Sequence, residues 1–558
     1  MADSGLGLAF RKLRELGFVP AKRKGATRRF EGTLACMAGP VKVALEIDDW
    51  DFVDYPTIRV LEAPASLPTV LPHVSGTGGL CYFTPGAVIL DRYRPDHALW
   101  QCVVQARDVL DRLAKDPSYR QQEFQAEFAA NWYLGQMPMP ARILLGQLDH
   151  GAAEATVFLA GDDDDKFCIV SSHQSEIDAL CRARGWLVES ASASCWVIRS
   201  AQMPVLPMHG LPVNVGAMFE WIKAWDRTTY ATIQNVLAQR RYLDAPNVIF
   251  VIQSAVGWFG FQIRLDAQKR KAYWRKPSLY RQHFHGKGRS HPIMRLAIDE
   301  IGADFIHSRN LQFATLKDRV VTVFGCGAIG GYLAQALAKL GAGVGTRGCL
   351  RLIDSQLFTA DNAGRHLLGV DSLFKPKAIA VAAMLRAQFP TSRIEAYERS
   401  AVLPGDLEGD LVIDATGEEA FSEALNFHRL QIPVERRPAA LHVWVAGNGE
   451  CVQGLWVDLP KYACFRCLRQ SDLGRTKRMD PLLHVPATRV IGCQAFTPYA
   501  VSAPMSASAL AVDMVISWLR GDPTPRFRVR SVEDAEVRRL KNQNLEALTG
   551  CPACAPRF

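Results

Sequence analysis

Val320-Val321-Thr322-Val323-Phe324, followed by Gly325-Cys326-Gly327-Ala328-Ile329-Gly330, decides the fold of the C-terminal half. The apolar, mostly β-branched run predicts a buried strand. The glycines predict a tight turn, a close approach of backbone to phosphate, and a helix that runs on to Leu340. A second strand, Cys349–Ile353, ends in Asp354, where an acid can bind the hydroxyls of a ribose. Together these elements read as a nucleotide site. An NAD dehydrogenase would share all of them, and glycines serving only packing would share most.

The residues downstream of Asp354 separate these readings. Asn362 and Arg365 stand in Asn362-Ala363-Gly364-Arg365, and Lys377 in Lys375-Pro376-Lys377-Ala378. One amide and two cations can polarise a triphosphate and stabilise a pyrophosphate leaving group. Hydride transfer needs none of them. Two Cys-x-x-Cys pairs, Cys464/Cys467 and Cys551/Cys554, offer four thiolates. That set suits a tetrahedral structural zinc, with a redox pair as the rival. Cys493 lies in a Gly- and Pro-bearing loop before an apolar helix, roughly Ala503–Leu519. A helix N-terminus there would give the thiol thiolate character.

The order glycine loop, Asp354, Asn362-x-x-Arg365 and Lys377 resembles the ThiF-type adenylating domain of ubiquitin-activating enzymes and their bacterial sulfur-carrier-activating relatives. The likeness runs from about Arg309 to the C-terminus. It implies a Rossmann-like domain in which ATP adenylates the C-terminal glycine of a small protein. Asp354 would hold the ribose, and Asn362, Arg365 and Lys377 the phosphates. Arg309 would match an arginine lent across a homodimer, and Cys493 a thioester cysteine. One departure comes after the strand Leu411–Asp414. The family's Asp-Asn pair for Mg2+ is here Gly417-Glu418, so the metal falls to Asp414 or Glu418. The four zinc cysteines also match the bacterial relatives.

The N-terminal segment carries a second thiol, Cys81, in His73-Val74-Ser75-Gly76-Thr77-Gly78-Gly79-Leu80-Cys81. Strands at Phe30–Ala35, Val41–Ile47 and Thr57–Leu61, then Tyr55-Pro56, His73 and a helix near His97–Lys115, resemble a ubiquitin-conjugating enzyme. By that resemblance Cys81 accepts an acyl group by thioester exchange. The family's His-Pro-Asn is absent, and His73 reads as a structural loop residue.

The chain has 558 residues, enough for several domains, each with its own core. The reading is an α/β multidomain protein: a ubiquitin-conjugating-like domain over 1–150, a linker domain over 151–300, and the adenylation domain over 301–558. The linker is expected to hold strands at Ala155–Ala160 and Phe167–Ser171, a helix near Met218–Gln239, and two strands near 247–265. Asp162–Asp165 reads as a solvated turn. Disorder and fibrous classes are excluded by 48% hydrophobic and 22% charged residues.

The net charge is +9. Lys269–His291 holds eight Lys or Arg, three His and no acid, with Tyr273, Trp274, Tyr280 and Phe284 interleaved. The rest of the chain is close to neutral, so nucleic-acid binding by the whole surface is not expected. The segment reads as an exposed connector or a dock for an acidic partner, with base stacking as the alternative. Of the fourteen cysteines, those outside the zinc and acyl-transfer sets read as core residues. Without a signal peptide, and with no stretch read as a membrane span, the protein reads as cytoplasmic with reduced thiols.

The domain order is similar to the CD-NTase-associated conjugating enzymes of type II CBASS antiphage operons. That resemblance implies a partner, the C-terminus of a cGAS-like (CD-NTase) nucleotidyltransferase. The partner would pass through thioesters on Cys493 and then Cys81 to a target amine. The cofactors implied are ATP, Mg2+ and Zn2+. A sulfur-carrier adenylyltransferase without conjugation and a zinc-bearing nucleic-acid scaffold remain alternatives.

Overall fold

A computed structural model describes all residues except 1–4, 23–26, 133–141, 163–165, 191–192, 209, 470–477, 492–493, 533–534 and 555–558. The chain packs as two compact units. The first holds 1–174 and 186–300, the second 175–185 and 301–558.

The first unit contains two sheets. The smaller one is antiparallel, with strands Val19–Pro20, Arg28–Cys36, Gly39–Ile47, Thr57–Glu62 and Gly79–Leu80 in sequence order. Alternation along Gly39–Ile47 turns Val41, Val43, Leu45 and Ile47 inward. They meet Ala9 and Leu13 of helix Gly5–Glu15, and Leu99, Cys102 and Leu110 of helix Pro95–Lys115. Pro at the first position of the longer helix costs no hydrogen bond. Asp116 ends that helix and caps the next, Pro117–Ala126, by accepting from the amides of Ser118 and Tyr119.

The larger sheet has eight strands. It runs from Ala193–Arg199 through Asn247–Ser254, Gly257–Arg264, Met294–Glu300, Arg142–Leu145, Lys166–Ser171 and Glu154–Gly161 to Leu187–Ser190. A further pairing of Ala193–Arg199 with Glu154–Gly161 closes it on itself. The single helix expected near Met218–Gln239 is two, Val215–Trp225 and Arg227–Val236. The break is at Asp226, whose buried carboxylate accepts from the amides of Thr228 and Thr229 and from the Ser200 hydroxyl. A carboxylate placed to cap the second helix ends the first.

The basic segment also differs from an exposed connector. It forms helices Ala267–Tyr273 and Pro277–His285, and buries Tyr280 and Phe284 in the core of this sheet.

The second unit is built on a seven-stranded sheet. Five strands are parallel, in the order Ile394–Tyr397, Cys349–Ile353, Val320–Phe324, Leu411–Asp414 and Ala439–Ala446. Cys451–Val457 and Phe527–Ser531 extend it antiparallel. The strand order reverses between Val320–Phe324 and Leu411–Asp414, which opens a crevice at their C-terminal ends.

Helix Ala328–Lys339 starts at the glycine turn. A Cβ on Gly330 would lie 1.8 Å from the Gly325 carbonyl oxygen, so only glycine lets the helix pack that closely. Gly325 itself has φ +85°, a backbone region that favours glycine. Among the described residues one helix, Ser502–Leu519, is long and apolar enough to cross a membrane. Its Ala507, Leu510, Ala511, Met514 and Val515 are instead buried in the core of this sheet.

Candidate functional site

The crevice at the strand switch is a cleft of about 200 Å³, lined by Gly325, Gly327, Asp354, Gln356, Arg399, Thr416 and Glu418 among others. Asp354 is held at its mouth. One carboxylate oxygen accepts from the Cys326 amide at 2.7 Å and the other from the Gln356 amide at 2.7 Å. Lys377 is buried and donates to the Gln356 side chain at 2.7 Å. Burial pulls its pKa below the usual lysine value, Asp354 opposes that, and the charge of Arg365 adds to it. Asp354, Arg365 and Lys377 thus share one electrostatic neighbourhood.

Arg365 lies over the Tyr499 ring, 4.7 Å from its centre. Asn362 closes a capping box with Thr359, which fixes the short helix that presents Arg365. Arg309 stands on a different element from these residues. It is exposed at the end of helix Ala303–Ser308, with its guanidinium over Phe305.

Asp414 and Glu418 differ sharply. Asp414 is 2% exposed. It accepts from the amide and hydroxyl of Thr416, from the Ser422 hydroxyl, and from His442 Nδ1 at 3.0 Å. Burial pushes the carboxyl up, and these bonds outweigh it, so its pKa falls below the ordinary aspartate value. His442 sits opposite Asp414 in the neighbouring parallel strand, a partner that sequence spacing did not reveal. Glu418 is exposed on the cleft, and its amide donates to Thr416 Oγ1. A second cleft, of about 260 Å³, opens beside Asp414 and Ser422. It is walled by Val443, Trp444, Phe465 and Leu482.

The four cysteines Cys464, Cys467, Cys551 and Cys554 converge, with all ligand sulfurs within 4.8 Å of one another. Neighbouring pairs are 3.8, 3.9 and 3.5 Å apart. Tetrahedral zinc with bonds of about 2.3 Å requires about 3.8 Å between sulfurs, so the set fits that ion. The Leu548 amide donates to Cys467 Sγ, which together with the neighbouring thiols favours the thiolate there. Cys493 lies outside the described residues. The strands on either side, Arg489–Ile491 and Gln494–Phe496, pair antiparallel. Cys326 is fully buried in the glycine turn, and burial raises its pKa well above the usual thiol value.

In the first unit Cys81 is exposed just after strand Gly79–Leu80. Its amide donates to the His73 carbonyl at 2.7 Å, so the thiol is tied to the His73 loop. Its pKa is raised, first by partial burial and then by the charge of Glu127.

His73 has φ +64° and is held from two sides. Nδ1 lies 2.6 Å from Glu127, Nε2 lies 3.2 Å from Glu123, and its amide donates to Glu127. The bond to Glu127 raises its pKa against the opposing effect of burial. A raised histidine pKa contributes stability that is complete below the unfolded value and is lost as pH rises through the folded one. In Glu127→Gln the His73 titration followed by NMR is therefore expected to move down toward the unperturbed value. The loop's alkaline loosening should move to lower pH with it. An unmoved titration would mean that the clamp does not hold the charge.

The chain as a whole resembles proteins of known naming. Residues 296–546 match the ThiF family, and residues 14–137 match the Prokaryotic E2 family B. The "ATP-dependent ubiquitin transferase-like protein Cap2" of Pseudomonas aeruginosa is 28% identical over 91% of this chain and 90% of its own length. The protein of the same name from Escherichia coli is 25% identical over 93% and 92%. The chain is a homologue of the Cap2 ubiquitin transferase-like enzymes. It joins a prokaryotic E2-family domain to a ThiF-family domain, the two ends at which Cys81 and the nucleotide-type cleft lie. The crystal structure of E. coli MccB is also similar, at 15% identity and a TM-score of 0.35, over 50% of this chain and 72% of that one.

Proposed function

We propose that this enzyme uses ATP to activate the C-terminal carboxylate of a protein partner and passes the acyl group through two cysteines to an amine. The observation that carries the reading is the union in one chain of an exposed E2-family thiol, Cys81, and a ThiF-family cleft. That cleft is lined by a fixed carboxylate, Asp354, and by Gln356, whose side chain holds the buried cation Lys377.

Asp354 holds the ribose, and Lys377, Arg365 and Asn362 stabilise charge on the phosphates. A carboxylate oxygen of the partner attacks the α-phosphorus as the bond to pyrophosphate breaks. The Cys493 thiolate then attacks the acyl carbon and AMP leaves. Exchange moves the acyl group to the Cys81 thiolate, and an amine, such as a lysine, displaces that sulfur to give an amide. Dividing the transfer keeps the carboxyl group activated without releasing the adenylate to water. Arg309 is available to a second copy, which would make the working form a homodimer. The domain order supports a cGAS-like nucleotidyltransferase as the partner, in antiphage signalling in a reducing cytoplasm.

Mg2+, when bound, would neutralise charge on the phosphates. The bonds already made to Asp414 leave Glu418 as the carboxylate free to meet the ion at the cleft. The four-cysteine cluster would hold Zn2+.

The test is ATP–pyrophosphate exchange with and without the purified nucleotidyltransferase. Exchange is expected only with its C-terminus intact. Absence of exchange with that protein would remove it as the partner. In the same assay Glu418→Gln is expected to raise the Mg2+ concentration for half-maximal exchange about tenfold, a loss of about 1.4 kcal/mol. Asp414→Asn is expected to lower the melting temperature instead, because it breaks a buried network. If Asp414→Asn shifted the Mg2+ dependence and Glu418→Gln did not, the assignment of the ion would be reversed.

A further inference from the structure

The basic segment remains outside the chemistry, although it carries nearly all of the chain's net charge. Its folding separates two kinds of side chain. Tyr280 and Phe284 are each 1% exposed, and Tyr273 packs on Tyr280. Trp274 is covered by the Arg240 guanidinium, 4.3 Å from its ring centre. Two of the four aromatics are therefore buried, and the half-buried pair, Tyr273 and Trp274, each already packs on a neighbour. Lys269, Lys271, Arg275, Lys276 and Lys287 are exposed.

Other elements add cations to this surface. Arg240 lies beyond the end of helix Arg227–Val236, and Lys223 comes from helix Val215–Trp225; the pKa of His285 is lowered first by burial and then by Arg281, Arg289 and Lys223. His283 is likewise lowered, by burial and then by Lys269, His291 and Lys287. Two acids contact the segment, and each is engaged. Asp266 caps the first helix by accepting from the Lys269 amide, and Glu220 pairs with Arg289.

We infer that helices Ala267–Tyr273 and Pro277–His285 form an electropositive docking surface for an acidic face of the protein partner. The inference rests on the proposed protein substrate and adds where the partner's folded body is recognised, apart from its C-terminal tail. Two observations favour protein over nucleic acid. Tyr280 and Phe284 are buried, Tyr273 packs on Tyr280 and Arg240 lies over Trp274, so little aromatic surface is left for base stacking. A carboxylate, Asp266, occupies the N-terminus of the first helix, where a phosphate would otherwise be favoured. The surface is also small: nine helical residues span about 14 Å. That is enough to steer a charged protein face and to set its orientation.

The test uses the full chain carrying Lys271→Glu, Arg275→Glu and Lys276→Glu together. Pyrophosphate release is measured with the purified nucleotidyltransferase and, separately, with a synthetic peptide of its C-terminal residues. The KM for the whole protein is expected to rise about tenfold, because steering accelerates association by at least that factor. The kcat, and the KM for the peptide, should not change. An unchanged KM for the whole protein, or equal rises for protein and peptide, overturns the inference.

A short DNA duplex is the second probe. Binding tighter than about 1 µM at physiological salt, beyond the ordinary non-specific range, lost in the variant while the protein KM stays fixed, would assign the surface to nucleic acid. If the wild type releases no pyrophosphate with either substrate, the proposed activity is what has failed. In that case retention of poly-L-glutamate by wild type but not by the variant still supports an acidic ligand, and equal retention overturns it.

Discussion

Replacing Cys81 by alanine is expected to abolish conjugate while leaving the earlier steps intact. Pyrophosphate exchange should match wild type, and a reducible adduct between enzyme and partner should accumulate. Replacing Cys493 by alanine should keep the exchange but remove that adduct. In the proposed relay each thiol would form a covalent intermediate that no neighbouring group replaces, so a large effect on product is expected. Glu127 and Tyr82 interact with Cys81 electrostatically, and His73, whose carbonyl accepts from the Cys81 amide, is already clamped between Glu123 and Glu127.

The pH dependence has its origin in the same surroundings. Partial burial and the Glu127 charge hold the Cys81 thiol above its ordinary pKa, so only a small fraction is thiolate at neutral pH. Transfer to Cys81 should therefore quicken as pH rises through the neutral range and beyond. Glu127→Gln removes one raising charge and should shift that rise to lower pH. Product formation by both single alanine variants would sink the two-thiol relay. A flat pH profile would show that thiolate formation at Cys81 does not limit the transfer.

The strand, turn and helix that shape the cleft were legible because their signals are local. Val320–Phe324, the glycine turn, and Asp354 at the end of the next strand lie within 35 consecutive residues, and each residue type has a mechanical reason to be there. The features that escaped depend on distance along the chain. His442 meets Asp414 only because two parallel strands align them, and Glu123 and Glu127 reach His73 from helix Pro117–Ala126 and the residue that ends it, about fifty residues downstream. Nothing in a single sequence pairs such residues.

The basic segment was ambiguous for another reason. Its charges obscured a helical spacing, Tyr280 to Phe284, that turns both rings inward. The helix expected near Met218–Gln239 is interrupted at Asp226. The break is set by the carboxylate's bonds to Thr228, Thr229 and Ser200. Residue 200 lies in a different part of the chain, so its contribution to that break is tertiary.

The four-cysteine cluster carries the second large effect, and it concerns stability. Cys464 and Cys551 are 87 residues apart, yet their sulfurs lie 3.9 Å apart. An ion bound there would cross-link a long loop. By the chain-entropy argument, closing a loop of that length contributes about 4–5 kcal/mol, before any metal–ligand energy is counted. The cluster is also part of a core. Cys464, Cys467 and Cys551 are buried with Phe465, Leu468, Phe527 and Leu545. Without the ion, four thiols would be crowded into apolar surroundings, and the thiolate favoured at Cys467 would lose its counter-charge.

Cys467→Ser is therefore expected to lower the melting temperature of the second unit by roughly 10 °C, at about 2–4 °C per kcal/mol for a body of this size. A strong zinc chelator should reproduce the loss in wild type and add little in the variant. Elemental analysis should find one zinc per chain in wild type and well below one in Cys467→Ser. The redox alternative makes the opposite forecast: melting would respond to dithiothreitol and not to the chelator. Because Cys81 lies outside the ThiF-family region, chelation should remove the adenylation step without changing the alkylation rate of Cys81. A chelated enzyme with an unshifted melting transition and normal pyrophosphate exchange would show that the cluster does not depend on metal.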